Sequence, residues 1–224
     1  MPSLFLNVRP LQWMNMLKQK VNPVGSSLLA LVTDSEAAYI FGLWCADGYY
    51  RSSSIGITNV DKRLIDRFAR FLRRHLPEDR MRMRIYHPIG IAPKVDVPTY
   101  PMRRARQVAY QYYVNSRPLL RLFQNAEQEV AQLPKKWIMA YFAGRFDGDG
   151  SVADDRRRDL RITYSNRKEA ETDLVLLEQL CLHKATVYQY KAARTFVLYI
   201  SRTSATAFVT QIRPWSVKLQ NVAP

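Results

Sequence analysis

Phe-Ala-Gly-Arg-Phe-Asp-Gly-Asp-Gly, residues 142–150, has a counterpart 102 residues earlier, Ile-Phe-Gly-Leu-Trp-Cys-Ala-Asp-Gly at 40–48. Each stretch is an apolar helical run that ends on an aspartate followed by glycine. Small residues recur at i, i+4 and i+8 in both: Ala38, Gly42 and Ala46, then Ala140, Gly144 and Gly148. That spacing gives each helix one face without bulk, so that two such helices can meet backbone to backbone. Packing of this kind brings the terminal acids, Asp47 and Asp149, together. A helix C-terminus disfavours a carboxylate by some tenths of a kcal/mol. The chain places one there twice, at equivalent positions, and a bound cation would reverse the sign of that cost. The glycines after them, Gly48 and Gly150, read as left-handed helix stops.

Working outward, the same element order follows both stretches. Asp34-Ser35-Glu36 is a helix-start signal. A hairpin is expected at 49–51 and 54–58, an amphipathic helix at 61–75, strands at 80–86 and 107–114, and a helix from Pro118. The segment between those strands, with Pro88, Pro93, Pro98 and Pro101, reads as a loop. The second copy gives a helix over 134–149, strands at 150–153 and 160–165, a helix over 167–182, strands at 186–191 and 195–201, and a helix over 204–212. A turn at 154–159 (Asp-Asp-Arg-Arg-Arg-Asp) joins the first two of those strands. The expected fold is therefore α+β: two αββαββα halves over 35–130 and 131–224, preceded by an N-terminal extension over 1–34.

Composition limits the function. The 224 residues hold 34 Lys and Arg against 19 Asp and Glu, a net charge of +15. Residues 51–110 alone carry 14 basic and 5 acidic side chains. Such an excess points to a polyanion, nucleic acid before membrane. A hydrophobic content of 47% excludes a disordered basic tail. Cys45 and Cys181 lack metal-ligand spacing, and His75, His87 and His183 form no chelating pattern. The longest uncharged run near the first motif falls short of the ~20 residues that a membrane span needs. Residues 1–34 carry no secretory signal pattern. An intracellular protein of the cytoplasm, nucleoid or organelle matrix is expected.

Alternation along the strands adds candidate readers of nucleic acid. Arg80, Arg82 and Arg84 alternate with Met81, Met83 and Ile85. Gln107, Gln111 and Asn115 do so with Val108, Tyr110, Tyr112 and Val114. Arg161, Thr163 and Ser165 alternate with Leu160, Ile162 and Tyr164. In half-buried strands this puts guanidiniums and amides on one face. Those groups fork onto guanine and adenine edges, and a β-ribbon fits the major groove. Arg51 joins this set from the first hairpin.

With these residues in view, the chain resembles the LAGLIDADG homing endonucleases, specifically those with two motifs in one chain. The resemblance implies pseudo-symmetric halves that meet along the motif helices, with antiparallel sheets forming a saddle over DNA. It further implies metal-dependent cutting of both strands of a long duplex DNA target by a monomer. Asp47 and Asp149 would hold Mg²⁺ or another divalent cation, with the carbonyls of Ala46 and Gly148 as added ligands. Asn59 and Asn166, which follow the second strand of each half, match the family's water-ordering positions. Lys218 matches a supporting basic residue in the second half, and Lys135 or Lys136 in the first. Two residues before the terminal acids stand Cys45 and Asp147, so a second symmetric pair of acids is absent; Asp147 is expected to support the metal ligands from behind or to be structural, and not to be an essential ligand. Arg145 replaces an apolar motif residue and is expected to snorkel out of the seam or to face DNA. An EF-hand reading of Asp147–Arg158 fails, because position 6 is Val152 and position 12 is Arg158. The resemblance also allows a non-cleaving binder of DNA or of intron RNA, a maturase or a regulator.

Overall fold

The computed structural model describes residues 27–51, 53–91, 93–152, 159–180, 184–191 and 194–221. Most of the N-terminal extension, the 154–158 part of the acidic-arginine turn, Cys181 and His183 lie outside these.

Short helix α1 (Ser27–Leu31) leads into α2 (Ser35–Asp47), whose start is fixed by Asp34. The Asp34 carboxylate accepts the Ala37 N–H at 2.7 Å, satisfying a donor that the first helical turn leaves open. There follow β1 (Gly48–Arg51), β2 (Ser54–Asn59), α3 (Lys62–Arg73), β3 (Met81–Pro88), β4 (Thr99–Met102), β5 (Ala109–Asn115) and α4 (Arg117–Gln128). The second half runs α5 (Lys135–Asp149), β6 (Gly150–Val152), β7 (Leu160–Tyr164), α6 (Arg167–Glu178), β8 (Ala185–Tyr190), β9 (Thr195–Ile200) and α7 (Arg202–Ile212).

The two sheets have matching cores. One is ordered β1-β2-β5-β3-β4 and the other β6-β7-β9-β8, so that the first four strands of one correspond in sequence order to the four of the other. The neighbours are antiparallel except for β4, which pairs parallel to β3 with Ile85 opposite Thr99. This strand is a correction to the expected loop. Its proline, Pro101, sits on an edge strand, where a missing N–H breaks no inner ladder. Inward residues alternate as expected: Ile55, Ile57, Met81, Ile85, Tyr112 and Val114 are buried, as are Leu160, Ile162, Leu198 and Ile200.

Helices α2 and α5 lie between the sheets and are buried on all sides over 37–44 and 140–147, as doubly covered helices must be. Their small faces meet. A Cβ added to Gly42 would lie 2.0 Å from the Tyr141 carbonyl oxygen, and one on Gly144 would lie 2.0 Å from that of Tyr39. At the end of the seam, a Cβ on Gly148 would lie 2.3 Å from the Ala46 Cβ. The helices thus run in parallel and in register, as the 102-residue repeat requires.

One expectation changes here. Gly48 has φ −57° and Gly150 φ −83°, so neither helix ends through the left-handed region. Each chain passes straight into a strand. Glycine is needed because a Cβ would press onto the preceding turn, at 2.4 Å from the Trp44 and Phe146 carbonyl oxygens respectively. In addition, the part of 1–34 that is described belongs to the core. Leu28, Leu31 and Val32 are buried, and the Leu28 N–H donates to Glu129 at 2.9 Å.

Candidate active site at the paired helix ends

The parallel seam delivers Asp47 and Asp149 to one place. The Cβ position of Gly148 is 3.1 Å from Asp47 Oδ2, so the second helix end abuts the first acid. Burial raises the Asp149 carboxyl to about 6, and the neighbouring charge of Asp47 adds to this, while Arg145 and Lys218 oppose it. Burial also raises Asp47, against an Asn59 hydrogen bond and the charge of Lys218. Two acids held together at the cost of their own ionisation form a site for a positive group.

Asn59 and Asn166 are not equivalent. The Asn59 Nδ2 donates to Asp47 Oδ2 at 2.6 Å, and its Oδ1 accepts the Asp61 N–H at 2.7 Å, which fixes the amide. Asn166 is exposed and caps α6, its Oδ1 accepting the Lys168 N–H at 2.9 Å. No hydrogen bond joins it to Asp149 among the described residues.

Lys218 reaches the site from the segment after α7, its Nζ donating to the Gly148 carbonyl oxygen at 3.2 Å. Lys135 and Lys136 do not reach it. They start a 15-residue helix whose far end carries Asp149, a separation of about 21 Å at 1.5 Å per residue. Lys136 covers the Trp137 ring instead, 4.2 Å from its centroid. Neither lysine is therefore the first-half counterpart of Lys218.

Two carboxylates are oxygen donors of the kind that suit a hard divalent cation, and the carbonyls of Ala46 and Gly148 are the backbone ligands that the sequence adds as expectations. No group of three or more His, Cys, Asp or Glu side chains gathers there among the described residues. Such an ion would thus depend on backbone, water and substrate oxygens for its remaining ligands. The Gly148 carbonyl already serves Lys218, so it can join a metal only by sharing that role.

Arg145 neither snorkels nor faces outward. It is 2% exposed, donates to Asp173 at 3.1 Å and to Glu169 at 3.3 Å, and lies over the Tyr164 ring. The hydroxyls of Tyr141 and Tyr164 also donate to Asp173, at 2.9 and 2.8 Å. The charge of Arg145 is therefore balanced inside the second half. A readable signal existed: Asp173 shares the buried α6 face with Ala170, Leu176 and Leu177, where an acid needs a partner. Beside this cluster a cleft of about 250 Å³ opens between Ala46, Asp149, Thr163 and Glu169.

The outer face of the first sheet carries a continuous row of rings and guanidiniums. Arg51 lies over Tyr49 (5.9 Å), Tyr49 meets Tyr113 (5.9 Å), and Arg84 lies over both Tyr113 (4.9 Å) and Tyr100 (5.7 Å). Arg82 is exposed on the same face, its Cα opposite Tyr113. Three expected readers are placed differently. Arg80 precedes the strand in a 3₁₀ turn and donates to the Asn115 carbonyl at 2.8 Å. Gln111 is 2% exposed, and its amide is used by Thr58 (3.1 Å) and Tyr86 (3.2 Å). Gln107 is exposed in a bend before β5. On the second sheet Arg161 and Thr163 face outward, with Arg161 held to Asp159 at 3.0 Å.

Residues 34–76 match the family described as LAGLIDADG-like domain. The fold, with its two motif helices paired in one chain, is similar to that of LAGLIDADG proteins with two motifs. Among solved structures, I-DmoI in complex with DNA and Mn is 21% identical, with a TM-score of 0.57 over 80% of this chain and 96% of that one. The homing endonuclease I-WcaI bound to its DNA recognition sequence is 11% identical, with a TM-score of 0.58 over 82% of each chain. The N-terminal LAGLIDADG domain of DUF199/WhiA is 14% identical, with a TM-score of 0.56 over 99% of this chain and 100% of that one. At these identities the likeness is one of fold. No curated protein matches at a significant level.

Proposed function

We propose that the protein is a site-specific endonuclease that cuts both strands of a long duplex DNA target with the help of a divalent cation, Mg²⁺ in the cell. The observation that carries this reading is the meeting of Asp47 and Asp149 at the end of the glycine seam. Similar solved structures support it: I-DmoI has been crystallised with DNA and Mn, and a point variant of it with its target DNA in the presence of Mg. Asp47 and Asp149 would hold the ion, with Ala46 and Gly148 as backbone donors. Bound there, the cation would acidify a water and neutralise charge on the leaving oxygen. Asn59 orients Asp47 through a fixed amide. Lys218 would bring a positive charge to a phosphate bound beside the acids. The basic outer faces grip the backbone, Arg51, Arg82, Arg84 and Arg161 foremost. Because both motifs lie in one chain, a monomer is complete, and its two unlike halves suit an asymmetric target. We place the protein inside the cell.

A second reading, a non-cleaving DNA-binding regulator, is favoured by the end-to-end match to the DUF199/WhiA domain. Intron RNA has no support among the related structures described above. Incubation with a complex DNA library and Mg²⁺, followed by sequencing of fragment ends, decides between the two readings. A recurrent pair of ends supports the nuclease. Bound but intact DNA under Mg²⁺ and Mn²⁺ supports the regulator.

A further inference from the structure

Asp147 is the seam acid that the proposed chemistry leaves unused, and it is fully buried. Four donors converge on it. The Tyr39 hydroxyl donates to Oδ2 at 2.6 Å, the Ser216 hydroxyl to Oδ1 at 2.6 Å, the Val217 N–H to Oδ2 at 2.6 Å and the Lys218 N–H to Oδ1 at 3.2 Å. The Ser216 Oγ accepts in turn from the Leu219 N–H at 3.1 Å, which closes the segment into a compact turn. Tyr39 belongs to α2, so the carboxylate binds the other half and the C-terminal segment at once. The Arg67 guanidinium, held by Glu36, lies 3.4 Å from the Tyr39 ring centroid and keeps that hydroxyl aimed.

A carboxylate that accepts two successive backbone N–H groups fixes the direction of the side chain that follows. Here that side chain is Lys218, whose Nζ rests on the Gly148 carbonyl and whose charge acts on both Asp47 and Asp149. The counterpart of Asp147 in the first motif is Cys45, a weak acceptor that cannot gather such a turn.

We propose that Asp147 is a positioning residue, which pins the 216–218 turn so that the Lys218 ammonium stands at the junction of the two acids. This rests on the nuclease reading for its chemical meaning, but the placement of Lys218 can be read without cleavage.

The test uses the full chain with Asp147→Asn, Lys218→Met and the double variant. The expected result is a single-turnover cleavage rate at least tenfold lower for each single variant, DNA affinity within about twofold of the parent, and a double variant no slower than Lys218→Met. In parallel, ¹H–¹⁵N spectra should show the Val217 and Lys218 amides displaced downfield in the parent and released in Asp147→Asn. The resonance of ¹³C-methylated Lys218 should move with them. Should Asp147→Asn fail to fold, Ser216→Ala removes one bond of the four and should shift the same resonances and slow cleavage in the same direction. Rate losses that multiply in the double variant, or a Lys218 methyl signal indifferent to position 147, would overturn the proposal. A parent that binds but never cuts refutes the nuclease reading alone, and the resonances still decide the placement.

Discussion

Gly144 packs against Tyr39 with no space for a side chain, since any Cβ would sit 2.0 Å from the Tyr39 carbonyl oxygen. Gly42 stands in the same relation to Tyr141. The obstructing atoms are backbone, so no rotamer change relieves them. Gly144→Ala should destabilise the fold by about 2–3 kcal/mol or more through overpacking, lowering Tm by roughly 5–10 °C at this chain length. Thermal unfolding followed by circular dichroism measures it, and a Tm unchanged within error would mean that the helices are further apart than described.

Asp149 supplies a pH signature. Its folded value of about 6 lies above the ordinary aspartate value of 3.8. Folding is thus favoured by its protonated form, and this stability is complete below about pH 4 and is lost as pH rises through 6. Metal-free Asp149→Asn should therefore be more stable than the parent at pH 8, by roughly 2 kcal/mol, and nearly equal to it at pH 4. Urea unfolding at both pH values checks this. A divalent cation should remove the difference for the parent alone.

Asp47→Asn and Asp149→Asn should each lower double-strand cleavage by at least a hundredfold while DNA affinity stays within a few-fold. Electrophoretic mobility shifts and cleavage time courses on the same target separate the two effects. Full cleavage by either variant would remove that acid from the site.

The buried Arg145–Asp173 pair should respond asymmetrically to substitution. Asp173→Leu leaves a guanidinium that is 2% exposed with the weaker Glu169 contact alone among the described acids, removes the acceptor of the Tyr141 and Tyr164 hydroxyls, and should cost about 3–5 kcal/mol. Adding Arg145→Met should recover much of that loss, because the uncompensated charge leaves with it. Equal instability of the single and double variants, measured by urea unfolding, would contradict this account.

Arg84 is stacked on two tyrosines, and Arg51 on one. If both meet phosphate, each replacement by Ala should weaken DNA binding and reduce the slope of log K against log salt by about 1. Titrations between 50 and 300 mM KCl test this, and an unchanged slope would assign these side chains to bases or to neither.

Much of this was legible in the chain itself. The small-residue faces around Gly42 and Gly144 determined the seam, and strand alternation at 81–85 and 160–164 gave the buried sides. What escaped depended on partners distant in sequence. Arg145 finds Asp173 across 28 residues, and Asp147 finds Ser216 across 69. Strand β4 was hidden by Pro101 and by Pro98 just before it; proline suppresses an edge strand less than an inner one. The Lys135 and Lys136 assignment failed because symmetry of the motif was extended to segments that are not symmetric. Gln111 alternates correctly, yet its neighbours consume its amide before any ligand arrives.

Strand β4 has one more consequence. It widens one wing of the molecule by a strand's spacing, roughly 5 Å, and carries Arg103 and Arg104 just beyond it. The opposite wing has no such ledge among the described residues. A rod-shaped ligand laid across both wings would be grasped over unequal lengths on either side of the central acids, and the molecule would bind it in one orientation in preference to the reverse.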